Sequence, residues 1–435
     1  MSGGTPISDA AFAAALARLA PFEKNPHVAV AWSGGGDSTA LLALAQAWAG
    51  AHCARVTAFH VDHGLRANSA DEAAALCADT AARGIAFASR RWAGDKPTTG
   101  IMAAARDARL ALLEEMCAAA GIWHLLLAHT RDDQNETAAL RAARGSGTDG
   151  LAGMSAIVER THMRVLRPLL GFAHADLLAT CKARGHDWLE DPSNANPRFA
   201  RAALRLSGEV PEAPGGLAVA RIARERELAR LLAHCVSLDP AGFALVDRAM
   251  LLDGPFDLAC AALARIVRTV GGGEYAPRGP RTEATLRALA APDPAARTLG
   301  HCKIVPRADG RLVVAREPAN LAPDVALEAG RRMRWDDRFE AIQLRSCSGL
   351  VLGALGMAGW AQLPREFRAK AAKTVPPAVR ATLPALRDLD GLACVPHLFY
   401  GRERYALDTV EIRFRPRHAL AGPLFAGPSE APASG

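Results

Sequence analysis

The chain has 435 residues, half of them hydrophobic and 22% charged, with a formal net charge of +7 and a pI near 9.1. That length holds two or three domains with cores of their own, the near-zero mean hydropathy is that of a soluble globular protein, and the basic balance permits a nucleic-acid partner without requiring one. Nine cysteines without a C-x-x-C pair argue against a zinc site, an iron–sulfur cluster or a dithiol redox centre; no run is long enough to span a membrane, and without a charged-then-apolar secretion signal the expected location is the cytoplasm.

A short helix capped by Ser8 or Asp9, with Phe12, Leu16 and Leu19 on one face, leads into the apolar run Val28 to Trp32. That run reads as a strand covered on both faces. Ser33-Gly34-Gly35-Gly36-Asp37-Ser38 follows, and then Leu41, Leu42 and Leu44 of a helix. Glycines let the backbone turn and bring N–H groups close to an anion, and a helix start favours phosphate. The stretch is no Walker loop, because no lysine precedes its Ser/Thr, and no dinucleotide fingerprint, because Asp37-Ser38-Thr39 follow Gly36. Asp37 repels phosphate unless a divalent cation lies between them, so the loop points to Mg2+ with a polyphosphate rather than to an ordinary glycine-rich turn.

A second strand, Val56 to Val61, ends in His60-Val61-Asp62-His63-Gly64-Leu65-Arg66. Ligands collect beyond the carboxyl ends of parallel strands, so these polar residues are site candidates; a polar turn with a surface histidine is the plainer reading. A helix over about Asp71 to Arg83, a strand near Ile85 to Ser89 and a helix over Ile101 to Ala120, capped by Thr98 or Thr99, come next. The last carries Arg106 and Arg109 one turn apart. The fourth strand, Leu125 to Ala128, opens into His129-Thr130-Arg131-Asp132-Asp133-Gln134-Asn135-Glu136-Thr137. If Asp132 starts a helix, His129, Asp133 and Glu136 fall on one side, where they can hold Mg2+ or an ammonium group; acidic residues capping a helix are the competing reading. A glycine-rich connection from Arg144 to Met154, a strand and proline turn from Arg164 to Leu170, a helix from Asp176 to Arg184 and a polar turn from Trp188 to Asn194 complete the alternation of a doubly wound parallel sheet.

The Pro- and Gly-rich run from Glu209 to Gly216 reads as a linker, followed by a helical middle region from Leu217 to about Leu299 in which Gly271-Gly272-Gly273 reads as a loop. Short strands such as Lys303 to Val305 and Arg311 to Ala315 follow. Arg331, Arg332, Arg334, Arg338, Arg365, Arg368, Lys370, Lys373 and Arg380 are then interleaved with Trp335, Phe339, Trp360 and Phe367. Basic residues among aromatics suit RNA; a solvated basic face over an aromatic core fits the same pattern. The expected organisation is an α/β catalytic domain over residues 1–208, a linker and helical domain over 209–300, a smaller basic α+β domain over 301–425 and a disordered tail over 426–435.

The SGGGDS stretch resembles the pyrophosphatase loop, or PP-loop, of the N-type ATP pyrophosphatases, whose members split ATP between the α and β phosphates and leave an adenylated intermediate. Several further stretches, taken together, resemble the tRNA(Ile)-lysidine synthases: HVDHGLR at His60 to Arg66, A-R-x-x-R at Ala105 to Arg109, AHxxDDQxET at Ala128 to Thr137, RGSGxxGLxGM at Arg144 to Met154, RPLL at Arg167 to Leu170 and DPSN at Asp191 to Asn194. Beyond the first two hundred residues, Pro376-Pro377-Ala378-Val379-Arg380 and Leu383-Pro384-Ala385-Leu386 are similar to that family's terminal domain.

The resemblance implies a Rossmann-like PP-loop fold and a two-step reaction. ATP adenylates the C2 oxygen of the first anticodon cytidine of a tRNA(Ile) reading CAU, pyrophosphate leaves, and the side-chain amine of free L-lysine displaces AMP. With that reaction in view, Asp37, His129, Asp132 and Arg109 are the expected catalytic residues. Ser33, Gly34, Gly35, Gly36, Asp37, Ser38 and His60 are expected on ATP, Asp37 and Asp132 on Mg2+, and His129, Asp133 and Glu136 on lysine. Arg201, Arg205, Arg365, Arg368 and Lys373 are expected on tRNA. The run Arg198 to Arg205 keeps Arg201 and Arg205 but has alanines where the family often has an R-N-x-x-R-like pattern. A tRNA thiolase would use cysteines, and a small-molecule amidating synthetase would not need the basic carboxyl-terminal third. A non-catalytic relic would have lost Asp37 or the DDQ cluster. The sequence leaves the oligomeric state open, a homodimer being one option.

Overall fold

The computed structural model of the protein describes residues 3–64, 69–94, 101–190, 204, 211, 216–344, 349–403, 405, 409–422 and 425–427. The chain forms two compact units, Met1–Ala223 with Pro423–Gly435, and Arg224–Gly422.

The first unit is built on six strands, β1 (His27–Ala31), β2 (Arg55–Asp62), β3 (Ala86–Arg91), β4 (His124–Leu126), β5 (Ile157–Glu159) and β6 (Arg164–Leu166). They lie in the order β3-β2-β1-β4-β6-β5. All neighbours are parallel except the β5–β6 hairpin. Among the described residues they are accompanied by the helices α1 (Asp9–Ala17), α2 (Gly36–Ala51), α3 (Ser69–Ala82), α4 (Ile101–Ala120), α5 (Arg131–Ala143), α6 (Thr148–Leu151) and α7 (His174–Ala183). The period of two along a strand sorts them. Val28 and Val30, with Trp32 beyond the strand's end, pack with Phe12, Leu16, Leu41, Leu44, Leu76, Leu177 and Cys181 on one face. Ala29 and Ala31 pack with Leu113, Met116 and Cys117 of α4 on the other. Two apolar faces explain why β1 carries no polar residue after His27, and they make the sheet doubly wound. Ser8 caps α1 through a hydrogen bond accepted from the Ala11 N–H at 3.2 Å, as its sequence predicts.

The order reverses at β1, which pairs with β2 on one side and β4 on the other. In an open α/β sheet that switch point opens a crevice beyond the strands' carboxyl ends. The glycine loop after β1 and the acidic segment after β4 flank it.

The second unit departs from a purely helical middle region. β7 (Val236–Asp239) and β8 (Phe243–Asp247) pair with β9 (Arg297–Leu299), β10 (Cys302–Pro306) and β11 (Arg311–Arg316) in one antiparallel sheet, so a boundary at residue 300 passes through that sheet. Helices Phe256–Gly271 and Gly279–Leu289 cover one face against Ala244, Val246, Ile304 and Val314. Phe243, Val313 and Ala315 point the other way into a core shared with Leu355, Trp360 and Leu383. β11 lies where the strand Arg311 to Ala315 is expected, whereas the alternation of β8 is short and is hidden by the helical texture around it. Gly271 ends its helix, Gly272, at φ +66°, is the left-handed cap, and Gly273 lies in the connection to the next helix, as the loop reading expects for the last two. Two further sheets, of five and three strands, complete the unit. Among the described residues no helix is long and apolar enough to cross a membrane.

Gly36 begins α2 where a Cβ would stand 2.5 Å from Leu178 Cδ2 of α7. A valine there has to push α7 away or force a rotamer, at a cost of about 1–3 kcal/mol. Gly36→Val is therefore expected to lower the urea midpoint of the first unit, and adding Leu178→Ala to return part of it; simple additivity of the two changes in a double-mutant cycle would show that this contact does not limit the approach of the helices.

Candidate functional site

The glycine loop is held in shape by its own side chains. Ser38 Oγ donates to the Gly35 carbonyl at 2.9 Å and accepts the Ser33 N–H at 3.2 Å, with Ser33 Oγ 3.1 Å away. Thr39 Oγ1 accepts from the Trp32 indole at 3.1 Å and donates to the Gly34 carbonyl at 3.3 Å. Gly34 has φ +83°, and a Cβ on it would lie 2.8 Å from Leu189 Cδ1, so both conformation and space call for glycine there. The Leu189 N–H closes the other side by donating to the Gly34 carbonyl at 2.9 Å. Gly35 is the N-cap of α2, and no side chain caps that end. Backbone N–H groups and the positive end of the dipole thus face the crevice, the arrangement that receives phosphate.

His60, expected beside the nucleotide, is buried at the end of β2 with Nδ1 3.1 Å from the Trp32 carbonyl and its ring stacked on Phe87. The carbonyl accepts only, so Nδ1 carries the proton. This contact ties β2 to the start of the loop.

The acidic segment after β4 divides its labour. Thr130 is the N-cap of α5: its Oγ1 accepts the Asp133 N–H at 3.3 Å, and Asp133 Oδ2 accepts the Thr130 N–H at 2.9 Å. This reciprocal capping box satisfies two helix-end donors, so the capping reading describes what Asp133 does here. Asp132 instead turns outward and accepts the main-chain N–H of His174 at 2.7 Å. The ring of that same histidine reaches the loop: Nδ1 lies 2.7 Å from Asp37 Oδ1. His174 therefore links two elements near the switch point, touching Asp37 through its ring and Asp132 through its main chain; among the described residues no group of three or more His, Cys, Asp or Glu side chains is placed to hold a metal ion. Glu136, one turn after Asp132, is buried, at 2% exposure.

His174 is a site residue that sequence reasoning missed. It lies four residues after the RPLL stretch, where β6 has ended and the Asp176 carboxylate accepts the Ala173 N–H at 3.1 Å to start α7. A histidine at the first position of a helix just beyond a parallel strand is the signal that could have found it. The Arg131 N–H donates to the Phe172 carbonyl at 2.9 Å and brings this turn against α5.

A cationic group lies beside His129. Arg167 Nε donates to His129 Nδ1 at 3.2 Å, and its Nη1 donates to the Ser155 carbonyl at 2.6 Å. Guanidinium has no acceptor, so Nδ1 of His129 must be unprotonated; the ring is neutral with its proton on Nε2. Burial, with the charge of Arg106 adding to it, pulls Arg109 below the ordinary guanidinium range and Arg167 down to about 10. Three arginines that repel one another are relieved by an anion.

The glycine-rich connection after α5 is a strap. Gln134 accepts the Met154 N–H at 2.6 Å and donates to its carbonyl at 2.9 Å, and Arg141 donates to the carbonyls of Gly150 and Gly153. Arg201 and Arg205, the stretch Asp191 to Asn194, Arg66, Thr98 and Thr99 lie outside the described residues.

In the second unit the basic run separates. Arg338 is fully buried, 2.7 Å from Asp336, which also pairs with Arg316. Trp335 and Phe339 are core residues, and Arg331 and Arg332 pair with Glu328 and Glu340. Arg365, Lys370 and Lys373 are exposed on the helix Arg365–Thr374, with Arg368 half-buried among them. Buried cysteines are held as thiols: burial pushes Cys117 and Cys302 up to about 12, and Cys181, Cys235 and Cys394 up to about 11. Such thiols are poor nucleophiles.

A family model described as a PP-loop domain matches residues 8–208. The tRNA(Ile)-lysidine synthase of Rhizobium meliloti (strain 1021) is 38% identical over 340 residues, covering 74% of each chain. That of Caulobacter vibrioides is 33% identical over 382 residues, covering 86% of this chain and 87% of the relative. Among solved structures, a U34-tRNA thiolase from Methanococcus maripaludis aligns with 52% of this chain and 79% of its own at 16% identity and a TM-score of 0.40. Sequence likeness along most of the chain, and not the loop alone, makes it a member of the tRNA(Ile)-lysidine synthases, PP-loop ligases that use ATP to form a carbon–nitrogen bond.

Proposed function

We propose that the crevice at the β1–β4 switch point carries both half-reactions of lysidine formation. The meeting of Asp37 and Asp132 across His174 is the observation that carries this reading, because it joins a phosphate loop to a carboxylate that the loop does not contain. In the first step the C2 oxygen of the anticodon cytidine attacks the α phosphorus of ATP and pyrophosphate departs. In the second, the side-chain amine of free L-lysine attacks C2, and the oxygen leaves as part of AMP. The anticodon then reads AUA in place of AUG.

Hard oxygen donors from two elements suit Mg2+. Asp37 and Asp132 would hold the ion, which would supply positive charge to the departing pyrophosphate. The loop N–H groups of Gly34 to Ser38 orient the phosphates. Arg109 and Arg167 favour the anionic leaving groups, pyrophosphate first and AMP second. His129, protonated at Nε2, offers a hydrogen bond to an oxygen of the phosphate or of C2, a better match for its tautomer than an ammonium group. Asp133 is engaged in the cap, which leaves Glu136 as the carboxylate for the α-ammonium of lysine. Arg365, Arg368 and Lys373 supply phosphate contacts for the tRNA, and Arg201 and Arg205 belong to the same proposal. A cytoplasmic enzyme fits these substrates. The thiolase alternative loses ground because the buried cysteines are held as thiols.

Asp37→Asn is expected to suppress ATP-dependent pyrophosphate release by about 100-fold or more while the fold persists; release at the wild-type rate would remove Asp37 from the chemistry. Glu136→Gln should raise the KM for lysine by about 10- to 100-fold and leave adenylation of tRNA nearly intact. Assaying the two half-reactions separately decides this: loss of adenylation with unchanged lysine dependence places Glu136 with ATP. Replacing Arg365, Lys370 and Lys373 together by glutamine should raise the KM for tRNA and flatten its dependence on salt, by a slope of about 0.7–0.9 per lost phosphate contact. An unchanged slope would mean that this helix faces solvent in the complex.

A further inference from the structure

We infer that the segment Phe425 to Gly427 is a brace of the first unit, and that it positions Arg167, and through it His129, for the reaction. The inference rests on the reading that Arg167 favours the leaving groups and that His129 offers them a hydrogen bond. The chain leaves the first unit after Ala223 and rejoins it at Pro423. The composition reads as a disordered tail from residue 426 on, yet Ala426 packs against the core of the first unit and Phe425 is buried, at 4% exposure. The Arg221 guanidinium lies 4.1 Å over the Phe425 ring, and Arg221 Nη1 donates to the Asp149 carbonyl of the strap at 2.7 Å. A Cβ on Gly427 would stand 3.2 Å from Ala218 Cβ, so the segment lies tightly against the start of the helix Leu217–Cys235.

The dipeptide Ser155-Ala156 is gripped by this segment and by Arg167 together. The Ala156 N–H donates to the Ala426 carbonyl at 2.8 Å, and Ser155 Oγ accepts the Ala426 N–H at 3.1 Å. The Ala156 carbonyl in turn accepts the Arg167 N–H at 2.9 Å, and the Ser155 carbonyl accepts Arg167 Nη1 at 2.6 Å. Ala156 is buried, at 2% exposure, so its N–H needs a protein partner, and Ala426 supplies it. The guanidinium is a rigid planar fork, so a carbonyl that fixes Nη1 also aims Nε. Nε is the donor that meets His129 Nδ1 at 3.2 Å and holds its tautomer. The placement of Ser155 by the returning chain is thereby passed to the ring of His129.

The test is pyrophosphate release from ATP in the presence of tRNA, measured on variants of the full chain. Phe425→Ala is expected to lower kcat about three- to tenfold and to leave the KM for tRNA within about twofold of wild type, because it misaligns a group at the reacting centre and removes no RNA contact. Phe425→Leu, which refills the slot with an apolar side chain, should recover most of the rate. In an Arg167→Gln background, Phe425→Ala should cost nothing further, since the group it positions is already gone. Losses that multiply in the double variant, as a general loss of stability would give, overturn the inference, and so does a change confined to the KM for tRNA. The single variants separate the two levels. If Arg167→Gln releases pyrophosphate at the wild-type rate, the reading of Arg167 fails and the inference with it. If Arg167→Gln is slow while Phe425→Ala is as fast as wild type, the inference alone fails.

Discussion

A carboxylate inside a phosphate-binding loop is a repulsion that the rest of the site has to offset. At about 4 Å two unit charges interact by about 4 kcal/mol at the effective dielectric of a protein surface, enough to abolish useful affinity. Asp37 stands one residue after a glycine triplet whose N–H groups attract the very charge that Asp37 repels. A cation between them would remove the conflict, and Mg2+ is commonly held by one or two carboxylates together with substrate phosphates. Asp132 is the one that the topology can deliver, because the strand preceding it is the neighbour of β1 at the switch point. The sheet order, the acidic helix start and the turn into α7 together bring Asp37 and Asp132 to His174.

The scaffold keeps that arrangement by close approach. Gly36 lets α7 come down on α2, and Cys181 of α7 donates to the Gly36 carbonyl at 3.4 Å from the same side. Leu189 holds the loop backbone from beyond α7, and Trp32 clamps it from the strand. Gln134 and Arg141 do for the glycine-rich strap what Ser38 does for the phosphate loop: they satisfy backbone groups that have no ladder to join. Most of the polar residues near the crevice therefore serve to hold its walls, and few of them face a ligand.

That division explains what the sequence could reveal. The strands were legible because burial on both faces removes polar residues from them, as in Val28 to Trp32, and the helix over Ile101–Ala120 because its length and pattern admit nothing else. The glycine loop was legible because its chemistry excludes its rivals. Asp133 was not, since a capping box and an ammonium site use the same residue types at the same spacing, and only the Thr130 contacts separate them. Arg338 was misleading for a related reason. A charged residue in a basic run reads as surface, yet a partner such as Asp336 pulls it into the core at 0% exposure. His174 and Arg167 were illegible as site residues because their partners, Asp37 and His129, lie far away in sequence, and no local periodicity encodes a contact across 137 residues.

Both signs of charge belong to the segments that flank the crevice: Asp37 and Asp132 contact His174, and Arg167, within reach of the charge of Arg106, holds His129 in a single tautomer. A site that merely bound a nucleotide would need only the basic side. A site that also removes a polyphosphate and then admits an amine needs both, because its contents change sign between steps. In the proposed reaction pyrophosphate takes negative charge away, and lysine brings an ammonium in. On the proposed reading, the carboxylates would then be available to the amine that follows, and the arginines would favour the anionic leaving group in both steps. On that reading two chemistries share one crevice because its carboxylates and its arginines each keep their sign while the ligands exchange.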